Sequence, residues 1–309
     1  EADESDASFL HLQPHIAVVT NIDHDHMSTY QGDFERLTDT FLRFVHNLPF
    51  YGLAVLCADD PAVQRMRERI LRPVVSYGIE TPADYNAMNV SQSGSRMQFD
   101  TTTADGKVFS VDLALPGLHN VRNALAAIAV ADKVGIKTQA IVDGLREFSG
   151  IDRRFEILGD IRLPDGKALL VDDYAHHPSE IAATLSAAEG CWPDRRKVVV
   201  FQPHRFSRTR DLMDDFSSLL SDVDCLVGTE VYAAGEKPAA SADGRALCRS
   251  IRVRGGVDPV FAPNIDRLRE TLLPLLQADD VVLTLGAGSI GKAARTLISS
   301  MHLCEESFG

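Results

Sequence analysis

Four stretches in the second half of the chain concentrate side chains that can do chemistry, and each closes a short apolar run. They are Asp172-Asp173-Tyr174-Ala175-His176-His177-Pro178, Gln202-Pro203-His204-Arg205-Phe206-Ser207-Arg208, Glu230-Val231-Tyr232-Ala233-Ala234-Gly235-Glu236 and Gly286-Ala287-Gly288. If the apolar runs are parallel strands, the four ends share one rim, where open parallel sheets bind their ligands. Arg205 and Arg208, three residues apart at a strand-to-helix turn, can add guanidinium forks to the free N–H groups of a helix start and hold a carboxylate or phosphate. The plain alternative is a solvated basic patch, since Arg210 is close by. Asp173 with His176 could be a metal pair, an acid/base pair or a structural hydrogen bond. Pro178 suits the first position of a helix, which puts His176 and His177 at its mouth rather than on its face.

The first half has fewer such groups. Asp23-His24-Asp25-His26-Met27 follows a strand directly, and a close His/Asp cluster can ligate a divalent cation, with Glu1 or Glu4 completing the set. A polar loop is the alternative. Pro116-Gly117-Leu118-His119-Asn120-Val121-Arg122-Asn123 opens a helix, and its His and Asn side chains could cap that helix or read a base edge. In Arg153-Arg154-Phe155-Glu156, at the junction of the halves, an arginine could reach a phosphate from the other domain or make an ordinary ion pair. Gly286-Ala287-Gly288-Ser289-Ile290-Gly291 spells the dinucleotide fingerprint G-x-G-x-x-G, but the context fails. That fingerprint needs another strand and an acidic residue ~20 positions later, and only residues 292–309 remain. A tight strand–helix turn whose glycines let a ligand approach the backbone is the better reading.

Placing these groups requires strands that end where the polar stretches begin. Ile16–Thr20 and Leu53–Ala58 read as short buried strands, with a helical pattern from Phe34 to Asn47 between them. Two β-rich runs within Met97–Leu115 flank Ala104-Asp105-Gly106, and Asp-Gly signals a hairpin. Helices are expected over Asn120–Val134 and from Gln139 to Phe148. From Gly150-Ile151 onward the texture changes to alternating strands and helices. The expected strands are Ala168–Asp172, Lys197–Phe201, Cys225–Gly228, a short one near Val260, and Val281–Leu285. The expected helices start at Pro178 or span Arg208–Leu220, Ala242–Ile251 and Asn264–Leu276, with a last one running to about Met301. Repeated βα units predict an α/β chain whose second half is an open, mostly parallel, doubly wound sheet. The domain boundary is expected near residue 150, giving domains 1–150 and 151–309.

Composition narrows the class. The 309 residues are 45% hydrophobic and 24% charged, as in an ordinary globular protein of two domains. A net charge of −13 argues against a general nucleic-acid or anionic-membrane binder while allowing local basic pockets. Five scattered cysteines (57, 191, 225, 248, 304) without a CxxC make a disulfide framework or structural zinc a poor reading, so a reducing cytoplasm is expected. No apolar run approaches the ~20 residues of a membrane span. The acidic start is unlike a signal peptide and has no initiating Met, so the chain is expected to begin inside a longer protein.

Read in order, EADESDASF, TNIDHDHM, HNLPFYG, LPGLHNVRNALAA, DRRFE, DDYAHHPSE, FQPHRFSRTRDL, VYAAGE and LTLGAGSIG resemble the Mur ligase family, ATP-dependent amide-forming enzymes of peptidoglycan synthesis. The resemblance covers essentially the whole chain and is strongest to the alanine-adding branch. It implies the later part of the family's central ATPase domain followed by its Rossmann-like C-terminal domain, without the N-terminal UDP-sugar domain. No G-x-x-x-x-G-K-[ST] phosphate loop occurs in the sequence, so the chain is expected to be a fragment, incomplete for activity alone. The expected reaction joins L-alanine to the lactyl carboxylate of UDP-N-acetylmuramate through an acyl phosphate made from ATP. By motif position, Glu1 and His26 correspond to Mg²⁺ ligands, and His119 and Asn123 to contacts with the adenine nucleotide. Arg154 and Asp173 fall near its phosphates or ribose, and Tyr174, His176, Arg205 and Arg208 border the acyl phosphate and the incoming alanine. Sister ligases carry a carbamylated lysine on the helix that spans Phe34–Asn47 here; this stretch has no lysine, so no carbamate is expected. The rivals are a recycling ligase that adds a ready-made tripeptide, a non-catalytic nucleotide-binding module and, more distantly, a zinc hydrolase. Because the early strands of the central sheet are expected to be missing, the region after residue 150 should be the better-folded half.

Overall fold

The computed structural model describes residues 2–299, and their contacts divide the chain into two compact units between Ser149 and Gly150. The first unit contains β1 (Ile16–Val19), α1 (Phe34–His46), β2 (Leu53–Cys57), α2 (Pro61–Arg67), β3 (Val74–Gly78), β4 (Tyr85–Ser93), β5 (Arg96–Thr102), β6 (Val108–Leu113), α3 (Leu118–Lys133) and α4 (Thr138–Glu147). Its six strands lie in chain order in one sheet. β1 to β4 are parallel and β4 to β6 antiparallel. The β5–β6 hairpin turns through Gly106 at φ 81°, a conformation that glycine adopts without a Cβ penalty.

Strand periodicity supplies both faces of this sheet. Along β2, Ala54 and Leu56 join the cluster under α1 and α2, with Leu37, Val45, Val63 and Met66. Val55 and Cys57 join the opposite cluster under α3 and α4, with Leu125, Ile128 and Ile141. Alternate side chains of a strand point to opposite faces, so one apolar run serves two cores.

The second unit contains β7 (Glu156–Leu163), β8 (Gly166–Asp173), α5 (Pro178–Cys191), β9 (Lys197–Phe201), α6 (Phe206–Asp211), α7 (Met213–Leu220), β10 (Cys225–Thr229), α8 (Gly244–Arg254), β11 (Val260–Ala262), α9 (Leu268–Leu272), β12 (Val281–Leu285) and α10 (Ile290–Ser299). The sheet order is β11-β10-β9-β12-β8-β7. Five strands are parallel and β7 pairs antiparallel with β8 at one edge, so this sheet is mixed as well. Helices cover both faces. Val199, Phe201 and Leu283 pack under α5, α7 and α8, while Val198, Val200 and Val282 pack under α9 and α10.

Two helices depart from expectation. The helix expected over Arg208–Leu220 breaks at Leu212 (φ −113°, ψ 24°) into α6 and α7, and Leu212 and Met213 pack there against the core that buries Phe216. The one expected over Asn264–Leu276 is α9 flanked by 3₁₀ turns at Ile265–Arg267 and Leu273–Leu275. Pro274 has no N–H to donate back to residue 270, so the last turn tightens. The expected end of the final helix near Met301 lies outside the described residues, as does Cys304. The four described cysteines are free. Among the described residues no helix is long and apolar enough to cross a membrane.

Candidate active site

β12 inserts between β8 and β9, so chain order reverses there, and such a reversal opens a crevice at the carboxyl ends of the strands. Two aspartates end β8. Asp172 is fully buried and accepts from Thr284 Oγ1 at 2.7 Å and from Arg153 Nε at 2.9 Å. Arg153 also reaches the carbonyl of Gly286 at 2.5 Å, tying the ends of β8 and β12 together. Asp173 accepts the backbone N–H groups of Phe155 and Ala175, each at 2.8 Å. Burial pushes its carboxyl up to about 6, against the pull of those two hydrogen bonds and of Arg154.

Beyond β8 the chain carries Tyr174 and His176 to the mouth of α5. The Tyr174 ring lies 4.9 Å from the Arg153 guanidinium and 5.5 Å from that of Arg154, and His176 meets it edge-on. Glu180, in the first turn of α5, accepts the N–H groups of His176 and His177 at 2.9 and 3.1 Å. Its carboxylate also lies 3.2 Å from His176 Nδ1 and 3.7 Å from Arg154 Nη1. From β9, the His204 ring meets His176 edge-on at 5.6 Å and stacks on Tyr232 at 5.5 Å. Arg208, buried on α6, lies 3.2 Å from His204 Nδ1. A guanidinium can only donate, so this nitrogen of His204 accepts. Burial first, then the positive charge of His176, Arg208 and Arg205, push His204 down to about 4.

Arg205 precedes α6 at φ 70°, and its guanidinium lies 3.9 Å from Glu236 Oε1. Glu236 accepts Ser207 N at 2.9 Å and Ser207 Oγ at 2.6 Å. Burial works against its charge, but the Ser207 bonds and Arg205 hold it below the usual glutamate range. The glycine run after β12 proves to be approached by the protein itself. A Cβ on Gly286 would lie 2.6 Å from the Gln202 carbonyl oxygen, and one on Gly288 2.5 Å from Gln202 Oε1 and 2.6 Å from Tyr232 Cγ. Gly291 lies against the Arg153 guanidinium. These glycines make room for Gln202, Tyr232 and Arg153, the side chains that shape the rim, and Gln202 Oε1 accepts Ile290 N at 2.9 Å at the start of α10.

The second unit thus brings together Arg154, Asp173, Tyr174, His176, Arg205 and Arg208. The first unit carries the others. His26, at φ 53°, places Nε2 3.4 Å from Asp25 Oδ2 and 4.0 Å from Glu4 Oε1, while His24 stacks on Phe34. Glu1 lies outside the described residues. No group of three or more metal-ligating side chains is preassembled among the described residues. His119 and Asn123, one helical turn apart, stand in the first turns of α3, whose N-cap Gly117 provides no side-chain cap. Arg122 between them pairs with half-buried Asp59 at 2.9 Å, and Asp59 also accepts the N–H groups of Ile79, Glu80 and Thr81. His204, Tyr232 and Glu236 lie in strand ends quoted from the sequence but were not singled out there, Arg153 was named only as one of a cluster with Arg154, and Glu180 only within DDYAHHPSE. Their place at strand and helix ends was the available signal.

Comparison with known proteins agrees with this layout. Residues 1–131 match the family described as Mur ligase middle domain, and residues 153–288 match that described as Mur ligase, glutamate ligase domain. The chain belongs to the Mur ligase family. This Mur ligase chain is 58% identical over 291 residues to the UDP-N-acetylmuramate–L-alanine ligase of Halorhodospira halophila, covering 94% of the chain and 60% of that protein. The chain therefore spans about three fifths of the curated relative it matches. Among solved structures, the UDP-N-acetylmuramate-alanine ligase of Thermotoga maritima superposes with a TM-score of 0.78 at 28% identity, over 98% of this chain and 63% of that one. The MurF ligase of Thermotoga maritima in complex with ADP shares the fold, with a TM-score of 0.70 at 18% identity, over 95% of this chain and 63% of that one.

Proposed function

We propose that this chain is the nucleotide- and amino-acid-handling part of an ATP-dependent ligase that joins L-alanine to the lactyl carboxylate of UDP-N-acetylmuramate in peptidoglycan synthesis. The observation that carries this reading is the 58% identity to such a ligase across 94% of the chain. Residues up to about 150 act as the later part of the ATP-binding domain and those from 151 as the amino-acid-binding domain. Carboxylate attack on the γ-phosphate gives an acyl phosphate, and the alanine amine then displaces phosphate to leave the amide. Phosphoryl transfer needs positioning and charge neutralisation more than covalent help. Arg205 and Arg208 hold anionic oxygens of the acyl phosphate or of the alanine carboxylate, Tyr174 borders the same space, and His176 accepts the amine proton. His119 and Asn123 contact the adenine nucleotide, with Arg154 and Asp173 toward its ribose and phosphates.

The donor set around His26 suits Mg²⁺ chemically. Mg²⁺ keeps several waters and takes only one or two protein ligands beside substrate phosphates, so His26 and Glu1 would suffice without a preassembled cluster. When bound, the ion neutralises charge building on the phosphate oxygens. The free cysteines fit the reducing cytoplasm in which these substrates would be met.

The test is phosphate release dependent on ATP, UDP-N-acetylmuramate and L-alanine, comparing this chain with a form extended upstream through a phosphate loop. Turnover is expected only in the extended form, with Arg205→Ala lowering kcat about 10²-fold, as for loss of one charge-stabilising donor. No activity in either form would sink the reading. A preference for the tripeptide over free alanine would move it to the recycling branch.

A further inference from the structure

Two acceptors crowd one ring nitrogen of His176. The carbonyl oxygen of Tyr174 lies 3.0 Å from Nδ1, and Glu180 Oε2 lies 3.2 Å from the same atom. Neither oxygen can donate when Glu180 is ionised, so the contacts are favourable only if Nδ1 carries the hydrogen. Glu180 is itself fixed by the two backbone N–H groups at the mouth of α5. On the adjacent ring the logic is inverted: Arg208 donates toward His204 Nδ1, which makes that nitrogen the acceptor.

We infer that Glu180 is a positioning residue, which fixes His176 as the Nδ1–H tautomer and leaves Nε2 as the proton-accepting atom of the ring. This is the arrangement by which a buried carboxylate orients a catalytic imidazole in hydrolases, here supplied from the first turn of a helix. The role in catalysis rests on the ligase reading. Nε2 takes one proton from the ammonium group of the incoming amino acid. The freed nitrogen lone pair forms the C–N bond, the bond from the acyl carbon to the phosphate oxygen breaks, and phosphate leaves with that electron pair and takes up the second proton of the nitrogen, which leaves the neutral amide. Glu180 also lies beside Arg154, so one carboxylate braces a residue proposed for the nucleotide side and one proposed for the amine side.

Among the described residues, the charged and titratable groups of the second unit around His176 include Glu180 and His177 at the mouth of α5, Arg154, Asp173 and Tyr174 beside β7 and β8, and His204, Arg205 and Arg208 after β9. Of these, Glu180 is the carboxylate placed on the ring nitrogen. Glu180→Gln removes its charge while keeping an acceptor for the backbone caps, and the His176 signals read its effect on the imidazole directly.

The experiment is ¹⁵N NMR of the histidine-labelled 309-residue chain, with the His176 signals assigned by their loss in His176→Asn. In the neutral form Nδ1 should show the pyrrole-type shift and Nε2 the pyridine-type shift, the reverse of the tautomer that free histidine prefers. In Glu180→Gln the proton affinity of His176 should fall at least tenfold, the usual loss when a carboxylate leaves an imidazolium. An Nε2–H tautomer in the unmodified chain overturns the inference with no variant needed. So does a Glu180→Gln chain that folds, judged by its other signals, and titrates at His176 like the unmodified one. In the extended ligase, the acidic limb of kcat should move to lower pH in Glu180→Gln by the same interval. An NMR shift without that kinetic shift would keep the positioning role and overturn only the use of His176 as the base.

Discussion

Asp173 and His204 border one rim with opposite responses to pH. Asp173 has its carboxyl raised by burial to about 6, above the usual aspartate range. The folded chain therefore binds this proton more tightly than the unfolded one, and the contribution to stability is lost as pH rises from about 4 through 6. His204 is lowered to about 4 from 6.5, so the unfolded chain binds the proton more tightly, and stability is lost as pH falls from about 6.5 through 4. In the intact protein the two largely offset. Urea unfolding of single variants should separate them. The deficit of Asp173→Asn should shrink by about 3 kcal/mol between pH 4 and pH 7, the linkage equivalent of its shift, while His204→Gln should lose less stability on acidification than the parent. Curves parallel to the parent in both variants would mean that neither group is perturbed. The rim arginines and His176 were legible because they close strands, but the environment of His204 was not. It depends on Tyr232 from beyond β10, His176 from beyond β8 and Arg208 from α6, and no spacing in one stretch encodes a stack between elements.

At the scale of elements, the glycines after β12 show why a motif and its meaning part company. Gly288 has no room for a Cβ beside Gln202 and Tyr232, whereas Gly144 in α4 has nothing within 4 Å of its added Cβ. Gly144→Ala should stabilise the first unit by about 0.5–1 kcal/mol, the helical advantage of alanine over glycine. Gly288→Ala should destabilise the second by about 1–3 kcal/mol through overpacking and displace Tyr232 from His204, visible as a changed His204 titration. Equal effects of the same sign would refute the packing account. Elements whose apolar residues are dense and regular, such as β2, β9 and β12, were legible. Those that escaped lack that pattern. β4 alternates only at its start and is largely polar afterwards, and β7 buries only Ile161 fully and slips register at Gly159 (φ 130°). β3 has only Val74 and Val75 before Ser76 breaks its apolar run, and the seven residues of α2 are too few for a helical period to register.

For the chain as a whole, the four core clusters fall two to a unit and none is shared among the described residues. Each sheet has helices on both faces, so each unit possesses the buried area that cooperative folding requires. The change of texture near residue 150 was legible because βα alternation is a long-range rhythm, unlike the local contacts of the rim. If the cores are independent, residues 150–309 made alone should fold, unfold in one urea transition, and keep the titrations of His176 and His204 found in the full chain. Residues 1–149 should be the weaker partner. Among the described residues β1 is an edge strand with Val18 40% exposed, and an uncovered apolar edge invites pairing between chains. Concentration-dependent sedimentation should therefore show association of the first piece and not of the second. A second piece that fails to fold, or whose histidines titrate differently, would show that residues before 150 complete its core or its rim, and would make the two units one cooperative structure.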